Sequence, residues 1–350
     1  MPQFAKRCYI THVSDTVPAK AITTIPVGGG SVVIRAISEG KSLVSFTPSG
    51  LDLFVPRTDC ETGFPLALLS QLAETGGSWI CEWIARYERA DYVQLAIKRQ
   101  VEAYFEPAEF QGKRLLDFGC GGGASTFLLA GILPQTEVVG VELAAQSLEV
   151  ARLIEAYRGL KNVSFFQSPS GLELPAGIGQ FDFIMLSAVW EHLLPEERPV
   201  IAGLLWKSLK PGGALLINQT PYRWAPFEHH TTSLWGVNYL PDSLACWVAR
   251  HWSRQLRADL AKCDWPQLLR RGIRGGTERE VLRHIRSSGG KARMMQPRCP
   301  PHTGRAGLWL SATSRRLGWL KRRLSGVFSV MDLLFGTMPV THVDVVFLKS

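Results

Sequence analysis

The stretch LLDFGCGGG, residues 115–123, decides the fold, and it is answered by VVGVE, whose Glu142 lies 19 residues after Gly123. An apolar run enters a turn with glycine at Gly119, Gly121, Gly122 and Gly123, and the helix-like segment ASTFLLAGIL follows. Strand, glycine loop and helix in that order let a ligand sit against the main chain, because a residue without Cβ takes positive φ and leaves open the space a side chain would fill. Residues 137–142 read as a second buried strand ending in a carboxylate, which can accept hydrogen bonds from a ribose diol at roughly 1.5–3 kcal/mol each. Tight helix–strand packing also selects glycine, so the loop alone is weak. The acidic residue inside it is the sharper signal. A dinucleotide site would read GxGxxG, with a helix N-terminus open to pyrophosphate. Here the pattern is DxGxGxG, and Asp117 would repel a phosphate but attract an ammonium or sulfonium. The implied ligand is a nucleoside cofactor carrying positive charge.

With these residues the chain resembles the class I S-adenosylmethionine-dependent methyltransferases, of the type 11/12-like group, from about residue 92 to the C-terminus. The resemblance implies a doubly wound, Rossmann-like α/β fold: a mostly parallel seven-stranded sheet with an antiparallel last strand, here with an N-terminal extension and a C-terminal insertion. It implies S-adenosyl-L-methionine as cofactor, with Asp117, Gly119, Gly121 and Gly123 toward its methionine part and Glu142 on the ribose. Cys120, Leu143, Ser168 and Ser187 complete the cofactor set carried over from the family. The family's adenine-binding Gly-Asp is replaced by Ser168-Pro169 in FFQSPS, so Ser168, Ser170 or backbone alone takes that contact. The fourth strand, FDFIMLSAVWEHL, begins with Asp182 and is followed by Glu191 and His192, and LKPGGALLINQT matches the next turn and fifth strand.

Strands are expected near 114–118, 137–142, 162–167, 181–187 and 213–219, alternating with helices as a covered parallel sheet requires. Residues 1–90 carry β-branched runs broken by Gly28-Gly29-Gly30 and Gly40, which suggests a small β-rich extension. A helix is expected between 91 and 110, from apolar residues at 93, 97, 101 and 105. Thr277 with Glu280 suggests a capping box, 291–296 a sixth strand and 341–348 a last one inserted beside it. Residues 297–339 exceed what a hairpin needs and read as a basic helical insertion. Within 308–335, Leu310, Thr313, Leu317, Leu320, Leu324, Val327, Met331 and Leu334 recur at three- and four-residue spacing, punctuated by Arg315, Arg316, Lys321, Arg322 and Arg323. Such a helix packs on its own domain or lies peripherally on an anionic membrane.

The composition, 46% hydrophobic and 20% charged, builds a core and excludes a predominantly disordered chain. Seven cysteines without CxxC or a Cys/His cluster argue against a disulfide framework and for a reduced, cytoplasmic setting. No metal ligand set is expected, and without an apolar leader or a long apolar span neither secretion nor membrane crossing is expected. Residues 251–350 hold 19 lysines and arginines against 6 acidic residues, more than the whole excess of +9. That asymmetry suits an anionic lipid, an acidic partner or nucleic acid. No RNA-binding module, NPPY tetrapeptide or catalytic CxxC accompanies it.

Acceptor chemistry is expected beyond the fifth strand, where ligands of open α/β sheets gather. The segment TPYRWAPFEHHTTSLWGVNYLPD, residues 220–242, concentrates Tyr222, Arg223, Trp224, Glu228, His229, His230, Trp235 and Tyr239. It resembles, more loosely, a segment of bacterial methyltransferases for glycans or secondary metabolites. Aromatics can wall a pocket, and His229 or His230, oriented by Glu228, can act as general base, with His192 as competitor. The expected activity is O-methylation of a small molecule, saccharide or lipid-linked metabolite. RNA or protein methylation and a catalytically inactive cofactor-binding scaffold are the alternatives.

Overall fold

The computed structural model describes residues 22–50, 55–253, 263–300, 304–312 and 318–350. It begins with an antiparallel meander of β1 (Ile22–Val27), β2 (Gly30–Ser38), β3 (Lys41–Pro48) and β4 (Asp59–Thr62), followed by helices α1 (Leu66–Gly76), α2 (Ile80–Glu88) and α3 (Val93–Tyr104). Then come β5 (Arg114–Phe118), α4 (Ala124–Ile132), β6 (Glu137–Glu142), α5 (Ala145–Arg158), β7 (Val163–Gln167), β8 (Phe181–Ser187), α6 (Glu197–Ser208) and β9 (Leu209–Pro221). A two-residue hairpin, β10 (Phe227–Glu228) and β11 (Leu234–Trp235), leads to α7 (Asp242–Trp252), α8 (Trp265–Arg270) and α9 (Glu278–Ser287). The chain closes with β12 (Ala292–Met295), α10 (Gly304–Ala312), α11 (Gly318–Phe335) and β13 (His342–Lys349).

The main sheet has seven strands in the order β12-β13-β9-β8-β5-β6-β7. Strands β7, β6, β5, β8 and β9 are parallel, and β13 enters antiparallel between β9 and β12. Helices cover both faces, so the central strands are buried on both sides and read as near-continuous apolar runs. Leu115, Leu116, Val138, Val139, Ile184 and Met185 have no exposed surface. One core lies under α6 and α9, another under α3 and α4. Asp182 sits at the amino end of β8, held by Lys210 and Lys113 and accepting the Arg114 amide, so it braces the sheet end opposite the glycine loop.

The N-terminal region contains more than the expected strands. Helices α1 and α2 bury Leu69, Leu72, Ile80, Ile84 and Tyr87, which share one core with Phe127, Val150 and Ile154 of α4 and α5. The β-branched runs drew attention to the meander, whereas the helices carry the contact with the central sheet.

The residues 297–339 between β12 and β13 contain two helices; the expected positions Thr313, Arg315, Arg316 and Leu317 lie outside the described residues. Arg305 is buried between Glu278 and Asp332, both buried, which ties α10, α9 and α11 together. Trp309 meets Phe328 edge-on. The opposite side of α11 is exposed and apolar: Leu333 is 84%, Leu334 66% and Trp319 60% accessible. Among the described residues no helix is long and apolar enough to cross a membrane. Part of the C-terminal charge is paired within the chain: Arg274 is buried against Asp242, while Arg270 with Glu197 and Arg298 with Glu109 pair at the surface.

Candidate active site

The carboxyl ends of β5, β8 and β9 open on a cleft of about 540 Å³, whose lining includes neither Glu142 nor any other residue of β6. Its floor is the glycine loop. Gly119 and Gly123 adopt φ of 71° and 86°, and a Cβ there would sit 2.8 Å from Val189 and from Phe165 respectively. At Gly121, φ 53°, a Cβ would meet nothing within 4 Å, so the loop backbone faces open space where a ligand can approach. The amides of Gly119 and Cys120 turn back to the Val141 carbonyl at 2.8 and 3.1 Å, which fixes the loop to β6. Cys120 lines the cleft, but burial pushes its thiol well up, so it is an unreactive wall.

Asp117 lies beneath the loop, 1% exposed, and does not line the cleft. Its Oδ2 accepts the hydroxyls of Ser125 and Thr126 at 2.6 and 2.7 Å. Burial raises its carboxyl from 3.8 to about 6 despite those two bonds. Ser125 does line the cleft, so Asp117 meets a ligand through that hydroxyl and through its field. Glu142 accepts three backbone amides, from Gly121 at 2.9 Å, Leu143 at 2.8 Å and Ala144 at 2.9 Å. One carboxylate thus couples the glycine loop to the end of β6, and a diol reaching it would share an anchored group. Leu143 is half exposed and does not line the cleft. Ser168 is buried and its hydroxyl donates to the Ser170 and Glu173 carbonyls, away from the cleft. Ser187 lines the cleft and accepts Gln219 Nε2 at 2.7 Å.

The cleft's other wall comes from the N-terminal region, which sequence reasoning left without a role. Trp79, Trp83, Arg86, Tyr87 and Tyr92 line it, and the Tyr87 hydroxyl donates to the Gly122 carbonyl. A Cβ at Gly122 would lie 2.7 Å from that hydroxyl oxygen. The apolar residues Ile80, Ile84 and Tyr87, at helical spacing, were the available signal for α2. Arg86 pairs with Glu82 at 2.8 Å and sets a cation at the cleft, so a ligand bearing both positive charge and a carboxylate finds complementary groups. The glycine cradle, Ser125 and Arg86 line a cleft that fits S-adenosylmethionine, with Asp117 beneath the loop and Glu142 anchoring it.

A second pocket, about 490 Å³, adjoins the first and shares Tyr92, Gln219 and His342 with it. It is lined by Leu95, Ala96, Arg99 and Gln100 of α3, Leu308 and Trp309 of α10, and Asp344 of β13. This corrects the expected acceptor wall. Of residues 220–242 only His230 reaches the cleft, and none lines the second pocket. Trp224 instead stacks on Tyr239 under the Arg223 guanidinium, and Trp235 is 75% exposed. Glu228 is also not an orienter of an imidazole. Buried, it accepts the amides of His230, Thr231 and Thr232 and braces the turn.

The three expected histidines separate into two groups. His229 Nε2 lies 3.1 Å from His342 Nε2 at the junction of the pockets. Burial, then the neighbouring His229, lowers His342 from 6.5 to about 4, so it is neutral at neutral pH. His230 and His192 face one another with ring centroids 5.4 Å apart, beside buried Glu191. His342 was missed because nothing local marks it. At the same place two non-glycine residues, Ala188 and Gln219, hold positive φ of 54° and 59°, strain of the kind that collects at functional sites.

Residues 115–213 match the model of a family described as a methyltransferase domain. The chain is similar to the O-methyltransferase cnsE of Penicillium expansum, at 33% identity over 38% of this chain and 46% of cnsE. It is likewise similar to a ubiquinone biosynthesis O-methyltransferase of Cereibacter sphaeroides, at 30% identity over 45% of this chain and 66% of that protein. The chain thus spans about half to two thirds of these relatives. A solved structure of PigF with SAH overlaps 66% of this chain and 58% of its own, at 17% identity and a TM-score of 0.43. The glycine loop, Asp117 and Glu142 lie within the matched segment, and the chain belongs to the class I S-adenosylmethionine-dependent methyltransferases.

Proposed function

We propose that this protein transfers the methyl group of S-adenosylmethionine to a hydroxyl oxygen of a small molecule bound in the pocket between α3, α10 and β13. The observation that carries this reading is the junction of the two pockets at Tyr92, Gln219 and His342. An acceptor held there borders the cofactor cleft, and positioning supplies much of the acceleration of a displacement. The similarity to proteins named O-methyltransferases supports oxygen as acceptor atom. The pocket's size suits a compact acceptor. His342 takes the acceptor proton as its oxygen attacks, and His229, in contact with it, shares the charge formed. Replacing His342 with Ala lowers kcat on a catechol or phenol acceptor by about 10²–10⁴-fold while cofactor affinity stays within a few-fold. Unchanged turnover removes His342 from the chemistry.

The pocket also favours an amphiphilic acceptor. Trp309 both lines it and packs against Phe328 of α11, the helix whose far side exposes Trp319, Val327, Val330, Leu333 and Leu334. With Arg322 and Arg323 exposed on the same helix, that side has the chemistry that docks on an anionic membrane surface. In this reading a lipid-linked acceptor enters the pocket from the bilayer.

A further inference from the structure

A short turn after β8 (Trp190–His192) and the loop after β10 bring Glu191, His192 and His230 together. Glu191 is completely buried. Its Oε2 accepts the Thr220 hydroxyl at 2.9 Å, while Oε1 is buried without any partner. The atoms nearest to Oε1 with polar character are His192 Nε2 and His230 Nε2, both at 3.9 Å.

The protons on these rings are fixed from behind. His192 Nδ1 lies 2.8 Å from the Arg270 carbonyl, and His230 Nδ1 lies 3.2 Å from the Arg271 carbonyl. A carbonyl only accepts, so each Nδ1 carries the hydrogen and each ring turns its Nε2 toward Oε1. Thr231, which also approaches His230 Nδ1, donates its own hydroxyl to Arg271 at 2.7 Å. Three acceptor atoms therefore converge, and among the described residues no hydrogen-bond donor answers Oε1. A buried acceptor left this way is destabilising. A cation answers all three at once, and imidazoles that donate their remote N–H to a backbone carbonyl are the usual form of metal-ligating histidine.

The dimensions agree. The ligand atoms lie within 4.8 Å of one another. Bonds of about 2.0–2.2 Å around one ion separate its ligands by about 3.3–3.6 Å, which small rotations of the two rings provide. Gly272, φ 89°, makes the approach possible: a Cβ there would sit 2.8 Å from His230 Nδ1 and 3.1 Å from Glu191 Cγ. The His192 side chain is 41% exposed, so an ion has a way in, and His230 lines the cofactor cleft, so an ion has a free side toward the ligands. Two imidazoles and a carboxylate suit Zn²⁺ or a neighbouring first-row divalent ion with an open position.

We propose that Glu191, His192 and His230 form a divalent transition-metal site at the edge of the cofactor cleft. The site stands on its own geometry; its use rests on the O-methylation reading, in which the ion holds the acceptor oxygen and lowers the pKa of its hydroxyl. The proton leaves to His342, the oxygen–methyl bond forms and the sulfur–methyl bond breaks.

The test uses the untagged full chain, stripped with chelator and titrated with ZnCl₂ and MnCl₂ by calorimetry, with bound metal counted by mass spectrometry. One equivalent should bind to the parent protein. Glu191→Gln and His230→Ala should each weaken it by about 100-fold or more, beyond the about 10–100-fold typical of outer-shell partners. Cobalt in place of zinc should give visible d–d absorption in the parent chain that both variants lose, with thermal unfolding showing that the variants are folded. Absence of stoichiometric binding, or binding of equal strength in Glu191→Gln, overturns the site. Metal binding without methyl transfer to any hydroxyl acceptor overturns the O-methylation reading and leaves the site standing. Transfer by a chain that binds no metal does the reverse.

Discussion

Asp117→Asn separates what the buried carboxylate costs from what it does. Burial raises its carboxyl from 3.8 to about 6, against the Ser125 and Thr126 hydroxyls that favour the ionised form. The unfolded chain gives up this proton near 3.8 and the folded chain near 6. Below about pH 4 both states hold the proton and Asp117 is neutral toward stability. Between those values the folded state binds the extra proton, so the stability it favours is progressively lost as pH rises through 6, by about 3 kcal/mol in all. Asn has no charge to bury. Without cofactor, the variant should match the parent near pH 4 and exceed it by about 1–3 kcal/mol at neutral pH, the lower figure allowing for a weaker acceptor of two hydroxyl bonds. Urea denaturation of both proteins across that range measures the difference directly. The same variant should bind the sulfonium cofactor more weakly than the parent does, while affinity for the neutral thioether product changes little. A stability difference that stays flat from pH 4 to neutral, or equal loss of affinity for sulfonium and thioether, would refute the reasoning.

Tyr87→Phe removes the hydroxyl that anchors the Gly122 carbonyl; cofactor affinity by calorimetry should fall about 5–10-fold, from about 1 kcal/mol of lost hydrogen bond, with the melting curve little changed. Arg305→Ala leaves Glu278 and Asp332 buried without their cation, and chemical denaturation should show a loss of about 3–5 kcal/mol. Leu333→Glu with Leu334→Glu should abolish co-sedimentation with vesicles containing phosphatidylglycerol at low salt. The parent chain should pellet with them and release as salt rises, and a parent chain that stays in the supernatant removes the membrane reading.

The parts of this protein legible in its sequence are those written in neighbouring residues. The strands 114–118, 137–142 and 181–187 were plain because a strand buried on both faces needs a continuous apolar run, and β5, β6 and β8 occupy those positions. The insertion of the last strand beside the fifth followed from the family resemblance and is the order observed. The acceptor side was not legible. His229 meets His342 across 113 positions, and Gln219 takes Asp344 across 125; no local spacing records such a meeting. The aromatic segment 220–242 was no guide because enrichment does not record where rings point: Trp224 stacks on Tyr239 and Trp235 meets Phe227, yet Trp224, Trp235 and Tyr239 stay 49%, 75% and 54% exposed.

What joins these distant pieces is strand β13. It enters the sheet antiparallel beside β9 and starts at His342, only seven positions after α11 ends at Phe335. Over that interval the Thr337 hydroxyl donates to Glu278, whose carboxylate also holds Arg305 of α10. Trp309, four residues after Arg305, lines the acceptor pocket, and His342 forms its boundary with the cofactor cleft. Any surface that presses on α11 therefore bears on one buried ionic cluster and, through it, on two walls of the acceptor pocket. The glycine loop stands on other supports, Tyr87 and the β6 backbone. Occupancy of α11 should consequently alter the acceptor KM more than cofactor affinity, because Trp309 touches the second pocket alone while His342 is the point where β13 meets both.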